Sequence, residues 1–193
     1  REHASDEHLG INIPSTRVDA FNVELAEALR PSRKGSMTFA PEAGTERMRE
    51  VIQKGVSEEE LLRTAELAYT EGWHTVKLYF MIGLPTETLE DVAHIARLAR
   101  RVLDVGRKVR GGRARVRVGV STFVPKSHTP FQWFAQDSEE AILEKQALLR
   151  SLLRDRSIRL NWNSPEGSAV EALLSLGDRR VGRAIRRAWE LGS

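Results

Sequence analysis

The chain has 193 residues and a net charge of +3, which is long enough for one domain with a sizeable core. Hydrophobic residues make up 40% of it, yet no apolar run approaches the ~20 residues that a membrane helix needs. No signal-peptide pattern opens the sequence, so the cytoplasm is the expected compartment. The absence of cysteine excludes disulfides and any iron–sulfur cluster held by thiolates of this chain.

The first part of the chain predicts strands and helices in alternation. A strand is expected at residues 10–15, and apolar residues at helical spacing predict a helix over 17–29. A second strand at 36–44 is stopped by a proline. A short helix is then expected from its N-cap, Thr45, to a C-terminal stop at Gly55.

The middle of the chain continues this alternation. Ser57 and Glu60 have the spacing of a capping box and predict a helix over 58–72. The strand that follows, at 74–83, contains the sequence LYFMIG and is typical of a strand buried on both faces. A threonine cap then predicts a long helix over 89–108.

The last part contains two more strands. The predicted elements are a strand at 114–124, a rigid two-proline turn at 125–133, a helix at 138–155, a strand at 157–163, and helices near 168–176 and 178–191. Strands that alternate with helices predict a parallel α/β fold in one domain, either an open sheet or a barrel.

In parallel α/β folds, ligand-binding groups collect where the strands end. Gly83 permits close approach of the backbone to a ligand, but a tight strand-to-helix turn explains this glycine as well. Glu42 suits a ligand ammonium or ribose hydroxyls, but it is equally explained as an exposed acid in the first turn of a helix. Lys126 either pairs with an anion or lies on a surface loop. Trp133 favours core packing.

Two basic runs, at 100–118 and 178–189, favour solvated helix faces over nucleic-acid contact, because the first has no aromatic residue. The five histidines show no metal-ligand spacing.

Four stretches together resemble a known family: residues 39–55, 72–88, 120–133 and 173–192. In this order they resemble the radical SAM superfamily, and within it the branch that carries an N-terminal cobalamin-binding-like region. The resemblance implies a partial (β/α)6 barrel of the TIM-like type. It also implies a [4Fe–4S] cluster on a C-x-x-x-C-x-x-C loop and S-adenosylmethionine bound across the strand ends.

The resemblance implies where S-adenosylmethionine is contacted. Glu42 would reach its amino group or ribose, and Met81, Ile82 and Gly83 would lie against the adenine. Glu87 would be the acid that closes this motif, and it would either help to hold the nucleoside or cap the following helix. The backbone of Val120 to Val124 would flank the adenine. Arg17 and Asp19 would lie near the substrate entrance. The implied cofactor-binding residues are Ser36, Thr38, Glu42, Met81, Ile82, Gly83, Glu87, Val120, Ser121, Thr122, Phe123 and Val124.

Because the cluster loop has no counterpart here, the expectation is that residues 1–193 are the C-terminal part of such a barrel, with strands three to six and a C-terminal extension. The partner would be the missing N-terminal part of the parent chain. The strand at 10–15 would then be an unpaired edge, which predicts a homodimer.

The parent protein would be an iron–sulfur enzyme of the oxidoreductase type that cleaves S-adenosylmethionine reductively to a 5′-deoxyadenosyl radical. The fragment alone would be inactive. The sequence does not identify the substrate, although the basic runs are compatible with RNA or a ribosomal substrate. It also does not decide whether the enzyme uses cobalamin. Two alternatives remain: a non-catalytic α/β binding module without the cluster, and a small complete α/β enzyme, although no nucleophile–base pair is found.

Overall fold

The computed structural model of the protein describes residues 36–192, which form a four-stranded α/β fold. The strands are β1 (Met37–Glu42), β2 (Thr75–Ile82), β3 (Arg115–Thr122) and β4 (Ile158–Trp162). The helices are α1 (Glu46–Val51), α2 (Glu58–Thr70), α3 (Leu89–Arg110), α4 (Glu139–Leu152), α5 (Pro165–Leu176) and α6 (Val181–Glu190). Arg17, Asp19 and the elements predicted at 10–15 and 17–29 lie outside the described residues.

All neighbouring strands are parallel, and their order in the sheet is their order in the chain. Helices α1 and α2 connect the first pair of strands, α3 the second and α4 the third. A doubly wound sheet reverses its strand order at a switch point, whereas this order continues in one direction, as in a segment of a β/α barrel. The predicted α/β fold is confirmed, and the sheet is compatible with a partial barrel.

One face of the sheet forms the core. Alternate side chains of β2, namely Val76, Leu78, Phe80 and Ile82, are almost completely buried in a cluster that includes residues of α2, α3 and α4. The other face of β2 is more open, because Tyr79 is 38% exposed. The prediction that this strand is buried on both faces is therefore wrong. The strand alternates with a period of two, and the helices between the strands cover only one face.

The helix starts follow the predicted caps. Ser57 and Glu60 form a capping box on α2, and Thr88 forms another with Asp91 on α3. Helix α1 ends at Val51, earlier than predicted, because Gln53 has a φ of 53°, which lies outside the right-handed helical region. Within residues 36–192, no helix is both long and apolar enough to cross a membrane.

Candidate functional site at the strand ends

The carboxyl ends of β1, β2 and β3 lie along one edge of the sheet, because the strands are parallel; an irregularity between Phe39 and Glu42 shifts the register of β1 by one residue. Glu42 pairs with Phe80 across β1 and β2, and Ile82 pairs with Thr122 across β2 and β3. Glu42, the loop that begins at Gly83 and the segment 120–124 therefore share one edge. The sequence predicted this convergence.

An open groove of about 460 Å³ lies at this edge, and we call it the edge groove. The sequence-predicted residues that line it are Met81, Ser121, Thr122, Phe123 and Val124. Residues from other loops complete the lining, including Ile52, Leu84 and Asn163.

One wall of the edge groove is apolar. Phe123 packs with Met48 and Leu84 in a small buried cluster, against which Met81 and Phe131 also pack. The rings of Phe123 and Phe131 meet edge to face, with their centroids 6.0 Å apart. An apolar wall with a few hydroxyl and amide groups nearby is the usual lining of a site for a flat organic ring.

Glu42 lies at the same edge but outside the edge-groove lining. Its backbone has a φ of 67°, which is unusual for a residue other than glycine and indicates local strain. Its carboxylate accepts a hydrogen bond from Nζ of Lys54 at 3.3 Å, and its side chain is 27% exposed. Glu42 is thus accessible to a ligand, but that ligand has to compete with Lys54.

Glu87 is buried beneath the rim of the edge groove. Its side chain is 2% exposed, and its carboxylate accepts hydrogen bonds from the backbone N–H of Gly83 at 2.7 Å and from Nζ of Lys145 at 2.8 Å. Lys145 also donates to Asp137 at 2.7 Å. With these donors and so little exposure, Glu87 fixes the loop after β2 instead of touching a ligand.

The electrostatics of this buried cluster follow from its geometry. Burial is the largest influence on Glu87 and raises its pKa, although Lys145 and the Gly83 N–H oppose it. Burial acts to lower the pKa of Lys145, but the hydrogen bonds to Asp137 and Glu87 outweigh it and raise that pKa. The ammonium of Lys145 is therefore held in its charged form at the base of the loop.

Several predicted site residues are not brought into the edge groove. Ser36 precedes β1 and Thr38 is its second residue, so Ser36 is roughly 20 Å along the strand from Glu42 at 3.3 Å per residue. The side chains of Ile82 and Val120 are 0% and 3% exposed and face the helices. These two residues present only backbone to the edge, and the Ile82 carbonyl already accepts from the Phe123 N–H at 2.8 Å.

Other site residues were missed or misplaced by sequence reasoning. Asn163 lines the edge groove and was missed, although its position directly after β4 could have indicated it. Lys145 was also missed, and no sequence pattern indicates its role, because it lies in the middle of α4. Lys126, for which pairing with an anion was one interpretation, lines the edge groove, where its ammonium pairs with the carboxylate of Glu171 at 2.5 Å. Trp133 is 86% exposed, so the prediction that it packs in the core is wrong.

This chain does not hold a metal cluster through the residues described. Among residues 36–192, no three histidine, cysteine, aspartate or glutamate side chains are grouped as metal ligands. The whole sequence has no cysteine, so the chain supplies no thiolate to a [4Fe–4S] cluster.

Comparison with known proteins identifies the family. The sequence model of the Radical SAM superfamily matches residues 1–99, which is about half of the 193-residue chain. The chain belongs to the Radical SAM superfamily. The predicted resemblance is confirmed at this level.

Two curated relatives of this radical SAM chain are also similar. An uncharacterized protein of Methanocaldococcus jannaschii is 31% identical over 179 residues, which cover 92% of this chain and 38% of the relative. A protein of Pyrococcus horikoshii named as an uncharacterized methyltransferase is 30% identical over 88 residues, covering 46% of this chain and 19% of the relative. The chain therefore spans well under half the length of either relative.

Proposed function

We propose that the edge groove holds the adenosyl part of S-adenosylmethionine in a radical SAM enzyme. The observation that carries this proposal is the convergence of Met81 and residues 121–124 on one groove at the carboxyl ends of the strands. Ligands of parallel α/β folds bind at this end of the strands, and the chain belongs to a superfamily that uses this cofactor.

The residues of the groove suit a nucleoside. Met81 and Phe123 offer an apolar surface for one face of the adenine, while Ser121 and Asn163 offer hydrogen-bonding groups beside it. Glu42 lies at the neighbouring strand end and is placed to accept hydrogen bonds from hydroxyl or ammonium groups. When bound, S-adenosylmethionine supplies a carbon–sulfur bond whose one-electron cleavage gives a 5′-deoxyadenosyl radical.

The electron for that cleavage does not come from residues of this chain, which lacks thiolates for a cluster. We propose that the cluster ligands belong to a part of the protein outside residues 1–193. The match covers only 38% of the Methanocaldococcus jannaschii relative, which supports this. The relative named as a methyltransferase favours methyl transfer as a second candidate activity, in which the same groove holds the methyl donor.

The complete gene product, purified without oxygen, tests the proposal. The expected results are the absorption of an iron–sulfur cluster and release of 5′-deoxyadenosine from S-adenosylmethionine under reducing conditions. Conversion of S-adenosylmethionine to S-adenosylhomocysteine, without 5′-deoxyadenosine release, would favour the second candidate, because the methyl group has then passed to an acceptor. A protein with neither activity and no cluster would support the alternative, a non-catalytic binding module.

A pair of variants tests the location of the site. Met81→Glu places a charge in the edge groove, whereas Val170→Glu places one on an apolar residue of α5 that is already 55% exposed. We expect calorimetry with S-adenosylhomocysteine to show binding to the wild type and to the Val170 variant, and at least tenfold weaker binding to the Met81 variant, about 1.4 kcal/mol. Equal affinities in the two variants would remove the adenosyl site from this groove.

A further inference from the structure

The open face of the sheet carries a row of three basic side chains. Lys77, Arg117 and Arg159 are paired in register across β2, β3 and β4, and they therefore point to the same face. Neighbouring strands are about 4.8 Å apart, so the row spans roughly 10 Å. Thr38 of β1 pairs with Lys77 and extends the row with a hydroxyl group.

The charges of this basic row are not neutralised by the described part of the chain. Among residues 36–192, no acidic side chain forms an ion pair with Lys77, Arg117 or Arg159. Lys77 instead lies over the ring of Tyr79, with Nζ 4.6 Å from the ring centroid, and both arginines are exposed. Like charges opposite one another on adjacent strands are destabilising, so this arrangement favours a bound anion.

A second groove, of about 340 Å³, adjoins the row, and we call it the inner groove. It is lined by Lys77, Tyr79, Gly119 and Asn161, among others. A Cβ on Gly119 would come within 2.8 Å of the Tyr79 ring, so the glycine allows that ring to lie across β3. The inner groove therefore offers a cation, an aromatic ring and an amide to one ligand.

The inner groove and the edge groove are neighbours, because Ser121 and Asn163 line both. Lys77 is five residues before Ile82 on β2, which is roughly 16 Å along the strand at 3.3 Å per residue. An extended ligand anchored at the basic row would thus reach the strand ends, where the proposed adenosyl site lies.

We propose that the inner groove binds an anionic small-molecule substrate, whose phosphate or carboxylate group contacts the Lys77–Arg117–Arg159 row while its other end reaches the edge groove. Guanidinium groups bind both anions through paired N–H donors. The volume of the groove, about 340 Å³, is in the range of small-molecule sites. The assignment of this ligand as a substrate rests on the proposed function.

Calorimetry with pyrophosphate and, separately, citrate at constant ionic strength tests the proposal on the complete gene product. We expect at least one of these anions to bind, and the stronger of the two to identify the anionic group. Arg117→Gln should weaken that binding about tenfold, since it removes a charged contact. The matched control is Arg113→Gln, which changes an exposed arginine outside the row and should leave the affinity unchanged.

The possible outcomes separate this proposal from the preceding one. If neither anion binds, or if both variants bind equally well, the inference is overturned. If a single-stranded oligoribonucleotide binds through Arg117 while both small anions fail, the small-molecule class is wrong and RNA replaces it. S-adenosylhomocysteine binding is measured on the same samples. If the wild type binds an anion but does not bind S-adenosylhomocysteine, the edge-groove proposal is overturned and the anion site is still supported.

Discussion

Nζ of Lys145 lies 2.8 Å from the carboxylate of Glu87, although the two residues are 58 positions apart in the sequence. This contact joins the loop after β2 to helix α4, and Asp137 shares the same ammonium at 2.7 Å. Since Glu87 also accepts the N–H of Gly83, the ion pair sets the backbone at the rim of the edge groove. The stability of the groove therefore depends on a cluster that does not face the ligand.

Replacement of Lys145 by methionine should be costly, because it leaves the carboxylate of Glu87 buried without its cation. We expect a loss of about 3 kcal/mol in the free energy of unfolding, measured by urea denaturation. The loss should grow as the pH rises above 4.5, the ordinary pKa of glutamate, since burial then opposes the ionised form and only the Gly83 N–H still offsets it.

Two controls accompany this prediction. Lys108→Met changes an exposed lysine of α3 and should leave the unfolding free energy almost unchanged. Adding Glu87→Gln to the Lys145 variant should recover part of the loss by removing the uncompensated charge. If the single variant is as stable as the wild type, the cluster does not stabilise the rim.

Asp91 connects α1 to α3 and should make the protein sensitive to acid. Its carboxylate accepts hydrogen bonds from the hydroxyls of Thr45 at 2.6 Å and Thr88 at 2.7 Å, and it pairs with Arg47. Burial opposes the ionised form, but these donors together lower the pKa of Asp91 below its ordinary value of 3.8. The stability that Asp91 contributes is therefore present above 3.8 and is lost as the pH falls below it.

We expect Asp91→Asn to cost about 2 kcal/mol near neutral pH, because it weakens the helix cap and breaks the ion pair. The difference from the wild type should shrink in acid, when the wild-type carboxyl is protonated too. Urea denaturation over a range of pH measures this. Asp104→Asn, on the exposed face of the same helix, is the control, and a constant difference at all pH values would contradict the assigned role.

Gly83→Ala should destabilise the loop after β2. The backbone there has a φ of 82°, and an added Cβ would lie 3.1 Å from Oδ2 of Asp137, the partner of Lys145. Both effects predict a loss of about 1–2 kcal/mol, seen as a lower melting temperature. Gly112→Ala is the matched control because nothing lies within 4 Å of its added Cβ. Equal melting temperatures for the two variants would show that the loop relaxes freely.

Helix α6 should be dispensable for stability. None of its residues is buried, and Trp189 is 77% exposed. Truncation from Gly182 onward should therefore change the melting temperature by less than about 2 °C. Truncation from Gly167 onward should lower it more, since this also removes the buried Ser168 and its contact with Gln136. A large effect of the shorter truncation would indicate that α6 packs on the fold in solution.

The sequence alone predicted the order of the strands and helices of residues 36–192 and the caps of α1, α2 and α3, although not the C-terminal end of α1. Ser57 with Glu60, and Thr88 as an N-cap, are signals within three residues of the backbone groups that they satisfy, so no distant contact is needed to recognise them. Parallel strands in alternation with helices also placed Glu42, Gly83 and residues 120–124 at one edge.

The tertiary structure decided which side chains at that edge are available. Strand periodicity shows that Ile82 and Met81 face opposite ways, but only the packing of the helices shows that Ile82 is buried and Met81 lines the edge groove. Likewise, the burial of Glu87 depends on Lys145, which only the folded chain brings within hydrogen-bonding distance. Local patterns determine backbone conformation, whereas the availability of a side chain depends on residues that are far away in the sequence.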